Sequence, residues 1–153
     1  MTKFVYRMQN ILDLKIKLED QAKIFFSQAN AKLREEEARL YQIQGQIQEY
    51  KEYLRELQTG KLNIGEMRRC TDAIEIKKEQ AEEQKKKIKV AERNVEIARK
   101  RLNDVMVERK TQEILRDKAF EEYKRELNEE EKKVTDELTS YQYNGNGKET
   151  ENA

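Results

Sequence analysis

The sequence predicts an all-α fold, a long two-helix antiparallel coiled-coil hairpin, and three observations carry that expectation. Charged residues make up 41% of the 153 residues and apolar ones only 36%, so there is too little apolar material for a thick core. The apolar residues recur every three or four positions on both sides of a single break near the middle of the chain. No proline and no tryptophan occur, and the leucine, isoleucine, valine and alanine that dominate suit a narrow seam between two helices.

The first helix is expected over about 3–58, with its stripe at Phe4, Met8, Ile11, Leu18, Ala22, Phe25, Ala29, Leu33, Leu40, Ile43, Ile47, Tyr50, Leu54 and Leu57. The step from Phe25 through Ala29 to Leu33 is four plus four, a stutter that locally relaxes a supercoil without ending it. Gly45 lies off the stripe, where it costs about 1 kcal/mol relative to alanine.

A turn is expected at 59–65, Thr-Gly-Lys-Leu-Asn-Ile-Gly. Gly60 suits a left-handed C-cap, and Asn63 can N-cap the next helix with Glu66 three residues on. A helix running straight through this stretch is the rival, but two glycines within six residues together with a cap pair favour a reversal.

The second helix is expected over about 66–141. Met67, Cys70, Ile74, Ala81, Ile88, Ala91, Val95, Ala98, Leu102 and Val105 keep three-four alternation, with Lys77 and Gln84 as polar exceptions. The stripe resumes at Phe120, Tyr123, Leu127, Val134, Leu138 and Tyr141. Residues 1–141 thus form the hairpin, and 142–153, aperiodic and with two glycines, read as a disordered tail.

Folded at the turn, the stripes meet in a register whose residue numbers add to about 124. Leu57 then opposes Met67, Leu54 Cys70, Tyr50 Ile74, Ile43 Ala81, Leu33 Ala91, Ala29 Val95 and Ala22 Leu102, with Phe25 near Ala98. The same register sets Ile47 against Lys77, Leu40 against Gln84 and Glu36 against Ile88, so a poorly sealed middle is expected. It ends near Phe4 opposite Phe120, leaving roughly 20 residues of the second helix, on the order of 30 Å, without a partner helix.

Composition excludes several functions. With no histidine, the commonest general base and metal ligand is missing, and no glycine-rich phosphate loop occurs, so no catalytic, cofactor or metal site is expected. Acids and bases nearly cancel at net +1, giving no bulk attraction to nucleic acid. The single Cys70 cannot staple the chain internally and fits a reducing compartment, most simply as a seam residue. Charged residues interrupt every apolar run near the N-terminus, so a soluble cytoplasmic protein is expected.

The charge is nonetheless uneven. From Lys77 to Lys118 there are fourteen bases against nine acids, and from Glu121 to Glu137 eight acids against four bases. These runs read as ordinary solubilising flanks of a coiled coil, or as patches that steer docking to partners of opposite sign. The acidic triplets 35–37 and 129–131 fan around a helix and read as solvated faces. Tyr41 and Tyr53 beside the stripe are candidate interface anchors, while Tyr50 sits on the stripe itself.

The opening stretch Phe4-Val5-Tyr6-Arg7-Met8-Gln9-Asn10-Ile11-Leu12-Asp13-Leu14-Lys15 resembles the start of the flagellar export protein FliJ family. There an aromatic-x-aromatic-Arg-Leu-Gln segment leads into a Leu-Asp-Leu-Arg-like run. Chain length, the position of the turn, and Glu49-Tyr50-Lys51 followed by Leu54 extend the resemblance.

The resemblance implies a stalk-like, non-enzymatic component of the flagellar type III export apparatus. It would bind a hexameric flagellar export ATPase, the membrane export gate protein FlhA and export chaperones, be peripheral at the inner face of the cell membrane through them, and be a monomer when alone. Carried over by position, the gate face falls on Ile43, Gln46, Tyr50, Ala73, Lys77 and Gln84, although Gln46 and Lys77 are polar where aromatic or apolar residues are typical. The stalk likeness implies that the end holding both termini enters the ring, near Phe4, Met8, Ile11, Phe120, Tyr123 and Leu127, all of which are also plain stripe residues. The alternatives are a prefoldin-like helical-hairpin holdase and a structural coiled-coil dimer.

Overall fold

A computed structural model describes residues 3–151, with side chains through 145. Two long helices, α1 (Gln9–Thr59) and α2 (Ile64–Glu151), pack against each other, with no strand among the described residues. The fold is therefore all-α and a helical hairpin. Contacts divide the chain into two compact units, one of 18–106 and one of 1–17 with 107–153.

The 18–106 unit contains the turn. Asn63 caps α2 as expected, its side-chain oxygen accepting from the Glu66 amide at 3.2 Å. Glu66 does not complete a reciprocal capping box; its carboxylate pairs with Arg69 at 3.5 Å. Gly60 does not supply a left-handed cap either, since no glycine among the described residues has a positive φ. Instead the Thr59 hydroxyl donates to the Glu56 carbonyl at 2.7 Å, which satisfies one of the acceptors that a helix end leaves bare.

On α2 the inward positions of this unit are the expected ones, with Cys70, Ile74, Ala81 and Ala91 buried. Cys70 is a seam residue whose thiol donates to the Tyr50 carbonyl at 3.3 Å. On α1 the seam departs from the expected stripe. Phe25 is 66% exposed while its neighbour Phe26 turns inward, and Glu19 and Glu36 are buried.

The inward series is thus Glu19, Ala22, Phe26, Ala29, Leu33, Glu36, Leu40, Ile43 and Ile47, an unbroken three-four alternation. There is no stutter. The four-plus-four step comes from reading Phe25 in the position that Phe26 fills.

The middle is sealed at Gln84 and Glu36, while Leu40, Ile47 and Lys77 are half-buried. Gln84 is 2% exposed, and its amide donates to the Glu36 backbone carbonyl at 2.9 Å and also to the Glu36 carboxylate. Among the described residues every buried side-chain polar atom has a hydrogen-bond partner. A polar seam pair of this kind lowers stability relative to leucine but fixes register, because sliding one helix would leave a buried amide without acceptors.

In the other unit, α1 begins at Gln9 and residues 3–6 are not helical, although the helix was expected from about residue 3. The spacing of the aromatics supplies the reason. Phe4 and Tyr6 both face α2, and two residues apart is the repeat of extended chain, whereas a helix would turn them to different sides. Tyr6 is buried and its hydroxyl donates to Gln112 Oε1 at 3.3 Å. The Gln9 amide then donates to the Tyr6 carbonyl at 3.1 Å, and the helix follows.

Leu12, 1% exposed, is the most enclosed apolar side chain of this unit, so Leu12 fills the position expected of Ile11. Lys15 and Glu108 bridge the helices at 2.8 Å. Past Leu127 no side chain through Gly145 is enclosed. The helix runs on to Glu151 across the stretch expected to be a tail from 142, since no proline interrupts it and an internal glycine weakens a helix without barring it; residues 152 and 153 lie outside the described ones.

Candidate partner-binding surfaces

The six positions of the gate face divide sharply. Ile43 and Gln84 are enclosed in the seam and present nothing to a partner, and Ala73 is half-buried. Gln46, Tyr50 and Lys77 instead come together, with Glu49 and Tyr53, around one open groove of about 370 Å³. Tyr50 bridges the two roles anticipated for it. Its backbone carbonyl is held by Cys70 in the seam, while the ring is 37% exposed at the groove.

Tyr53 is more exposed than Tyr50 and widens the aromatic wall, and Glu49 and Lys77 add a carboxylate and an ammonium to the lining. Sequence periodicity flagged Tyr53 as lying off the stripe, but Glu49 carried no such signal. Tyr41 is largely exposed and does not line this groove.

The second group of residues lies in the unit holding both termini. Phe4 meets the Phe120 ring edge-on at 5.1 Å and Tyr123 at 5.4 Å, and Phe120 and Tyr123 stack at 6.5 Å. The Lys124 ammonium sits 4.6 Å over the Phe120 ring, a cation–π contact. Met8 and Ile11 are exposed beside the cluster, and Leu127 is half-buried. Phe4, Met8 and Tyr123 share one shallow groove. Each of these six residues therefore has either packing contact or exposure, and Phe120 has both.

Electrostatic perturbation concentrates at the buried clasp. The Glu36 carboxyl is held below its ordinary value by the Lys32 ammonium, 3.0 Å away, and by the Gln84 amide. Lys32 is correspondingly raised, chiefly by its hydrogen bond to Glu36. Because the folded-state value of Glu36 is depressed, its contribution to stability is present above the unfolded value and is lost as pH falls through the folded one.

The stability difference between the native chain and Glu36→Gln is therefore expected to shrink as pH falls below the ordinary carboxylate value of 4.5, read by melts followed with circular dichroism. Glu96 is also held low, by Arg99, so the variant keeps some acid sensitivity of its own. A difference that stays constant across this range contradicts the assignment.

No group of three or more histidine, cysteine or acidic side chains placed to hold a metal ion occurs among the described residues. Nor, among them, is any helix long and apolar enough to cross a membrane. What the chain offers are open grooves with aromatic walls on a two-helix scaffold.

These features define an all-α coiled-coil hairpin whose distinctive chemistry lies on its faces. The sequence profile described as flagellar FliJ protein matches residues 3–148, nearly the whole chain, and the chain belongs to that family. It is accordingly a component of the flagellar type III export apparatus, in protein transport for flagellum biogenesis. Comparison with curated proteins and with solved structures gives no match.

Proposed function

We propose that this chain is a stalk-like, non-enzymatic coupling element. It joins the hexameric flagellar export ATPase to the gate protein FlhA, serves export chaperones, and is held at the inner face of the cell membrane by those partners. The observation that carries this reading is the groove at Tyr50, where Gln46 and Lys77, implied for gate contact by family resemblance, converge with Tyr53 on one accessible surface. An exposed tyrosine pair is what interface hot spots favour, and the groove brings Tyr50 and Tyr53 together.

The gate face is accordingly Gln46, Tyr50, Tyr53, Lys77 and the rim near Ala73. Ile43 and Gln84 support it from beneath, through packing. The ATPase arm is the aromatic cluster of Phe4, Phe120 and Tyr123 with exposed Met8 and Ile11 and half-buried Leu127. A non-enzymatic coupling element needs adhesive surfaces and no chemistry of its own, and each unit carries one such surface.

Tyr50→Ala tests the gate arm. Removing the ring deletes an interface anchor while leaving the backbone carbonyl that Cys70 uses, so helicity is expected to persist and affinity for the cytoplasmic part of the gate to fall roughly tenfold or more. Titration calorimetry measures this. Unchanged affinity, with helicity intact, removes Tyr50 from the gate face.

A further inference from the structure

We propose that the acidic stretch 121–141 of one copy docks into a basic-edged apolar groove on the 18–106 unit of a second copy. The groove is lined by Ala22 and Ala29 of α1 and by Ala91 and Ala98 of α2, together with the outward-turned Phe25 and Ile97, and encloses about 440 Å³. A second groove of about 460 Å³ shares Lys32, Ala91 and Asn94 with the first and continues it to Val90 and Lys87.

A floor of alanines lets a third helix approach closely, and Phe25, Val90 and Ile97 offer it exposed apolar walls. Val90 and Ile97 lie seven residues apart, about 10 Å along the helix. The groove's two ends carry Lys87 and Arg101, neither within ion-pair distance of a carboxylate among the described residues, although Lys87 acts at longer range on Glu36, which with Glu83 also lines the second groove.

The stretch 121–141 has the complementary features. Leu127, Val134 and Tyr141 repeat at the same seven-residue spacing, with Leu138 between, and the last three are exposed. Glu130 and Glu137 flank this row, and neither they nor Glu131 makes an ion pair among the described residues. Two surfaces of one molecule thus match in spacing, apolar character and unpaired charge of opposite sign. Because the two patches differ, the contact is heterologous and can propagate from copy to copy. It rests on these side chains and not on the coupling role proposed above.

Sedimentation velocity of the full chain from low micromolar to near-millimolar concentration tests the contact. The expected result is concentration-dependent mass growth that high salt suppresses. A synthetic peptide of residues 121–141 should reverse that growth, and Phe25→Glu or Ile97→Glu should weaken association roughly tenfold. Both side chains are exposed, so circular dichroism of either variant should be native-like. A charge exchange gives the second arm: Lys87→Glu/Arg101→Glu should lose association, and a Glu130→Lys/Glu137→Lys partner should recover it. A constant monomer mass, association indifferent to Phe25 and Ile97, or a failed charge exchange overturns the proposal.

Discussion

Replacing Gln84 by alanine is expected to lower the stability of the 18–106 unit by about 1–3 kcal/mol, a large effect for an uncharged polar side chain in a coiled coil. The amide answers both the Glu36 carbonyl and its carboxylate. Its removal strands a buried acceptor and opens a small void, while Lys32 continues to hold the carboxylate from outside.

Gln84→Leu distinguishes the two contributions. Leucine restores the volume but not the donor, so if the hydrogen bonds matter most the leucine variant remains destabilised, and if packing matters most it matches or exceeds the native chain. Urea melts of both variants give the answer. Native stability in each would show that the clasp contributes neither.

Leu12→Ala is expected to have the larger effect, about 2–4 kcal/mol, because Leu12 is the most enclosed apolar side chain of its unit and alanine leaves a cavity beside it. The effect should be local. Hydrogen exchange is expected to accelerate in the facing part of α2 around Glu108 to Gln112, where Lys15 and Tyr6 make their contacts, and to change little near Cys70 and Ile74. Uniform acceleration along the whole chain would mean that the two units unfold as one.

Much of this architecture was legible in the residues, and the departures share one cause. On α2, Met67 to Val105 could be read directly because the alternation is strict and its polar members, Lys77 and Gln84, are few. On α1 the apolar stripe misled, since it ran through Leu18 where Glu19 is buried and through Phe25 where Phe26 turns inward. A buried acid is acceptable there because it is paired: Lys23 holds Glu19, and Glu36 is held by Lys32 four residues away and by Gln84 on the other helix, a partner that no periodicity reveals.

The start of α1 was misplaced for a related reason. Phe4 and Tyr6 belong to an extended segment, and only the positions of Phe120, Tyr123 and Gln112 show why both should face inward. Gly60 had the composition of a left-handed cap, but the Thr59 hydroxyl takes a carbonyl at the helix end instead. Of the positions implied for the gate, Gln46, Tyr50 and Lys77 line one groove, whereas the burial of Ile43 and Gln84 depends on interhelical packing that spacing alone does not resolve.

In the proposed coupling role the aromatic cluster is the arm that meets the export ATPase, and sedimentation of the cognate ATPase with and without this chain tests that role most directly. Phe4 and Tyr123 hold the cluster, while Met8 and Ile11 lie exposed beside it. The native chain is expected to shift the ATPase toward hexamers, and a Met8→Asp/Ile11→Asp variant of unchanged helicity to lose most of that effect. An ATPase whose assembly is unaffected by the folded native chain, or equally promoted by the variant, would contradict it.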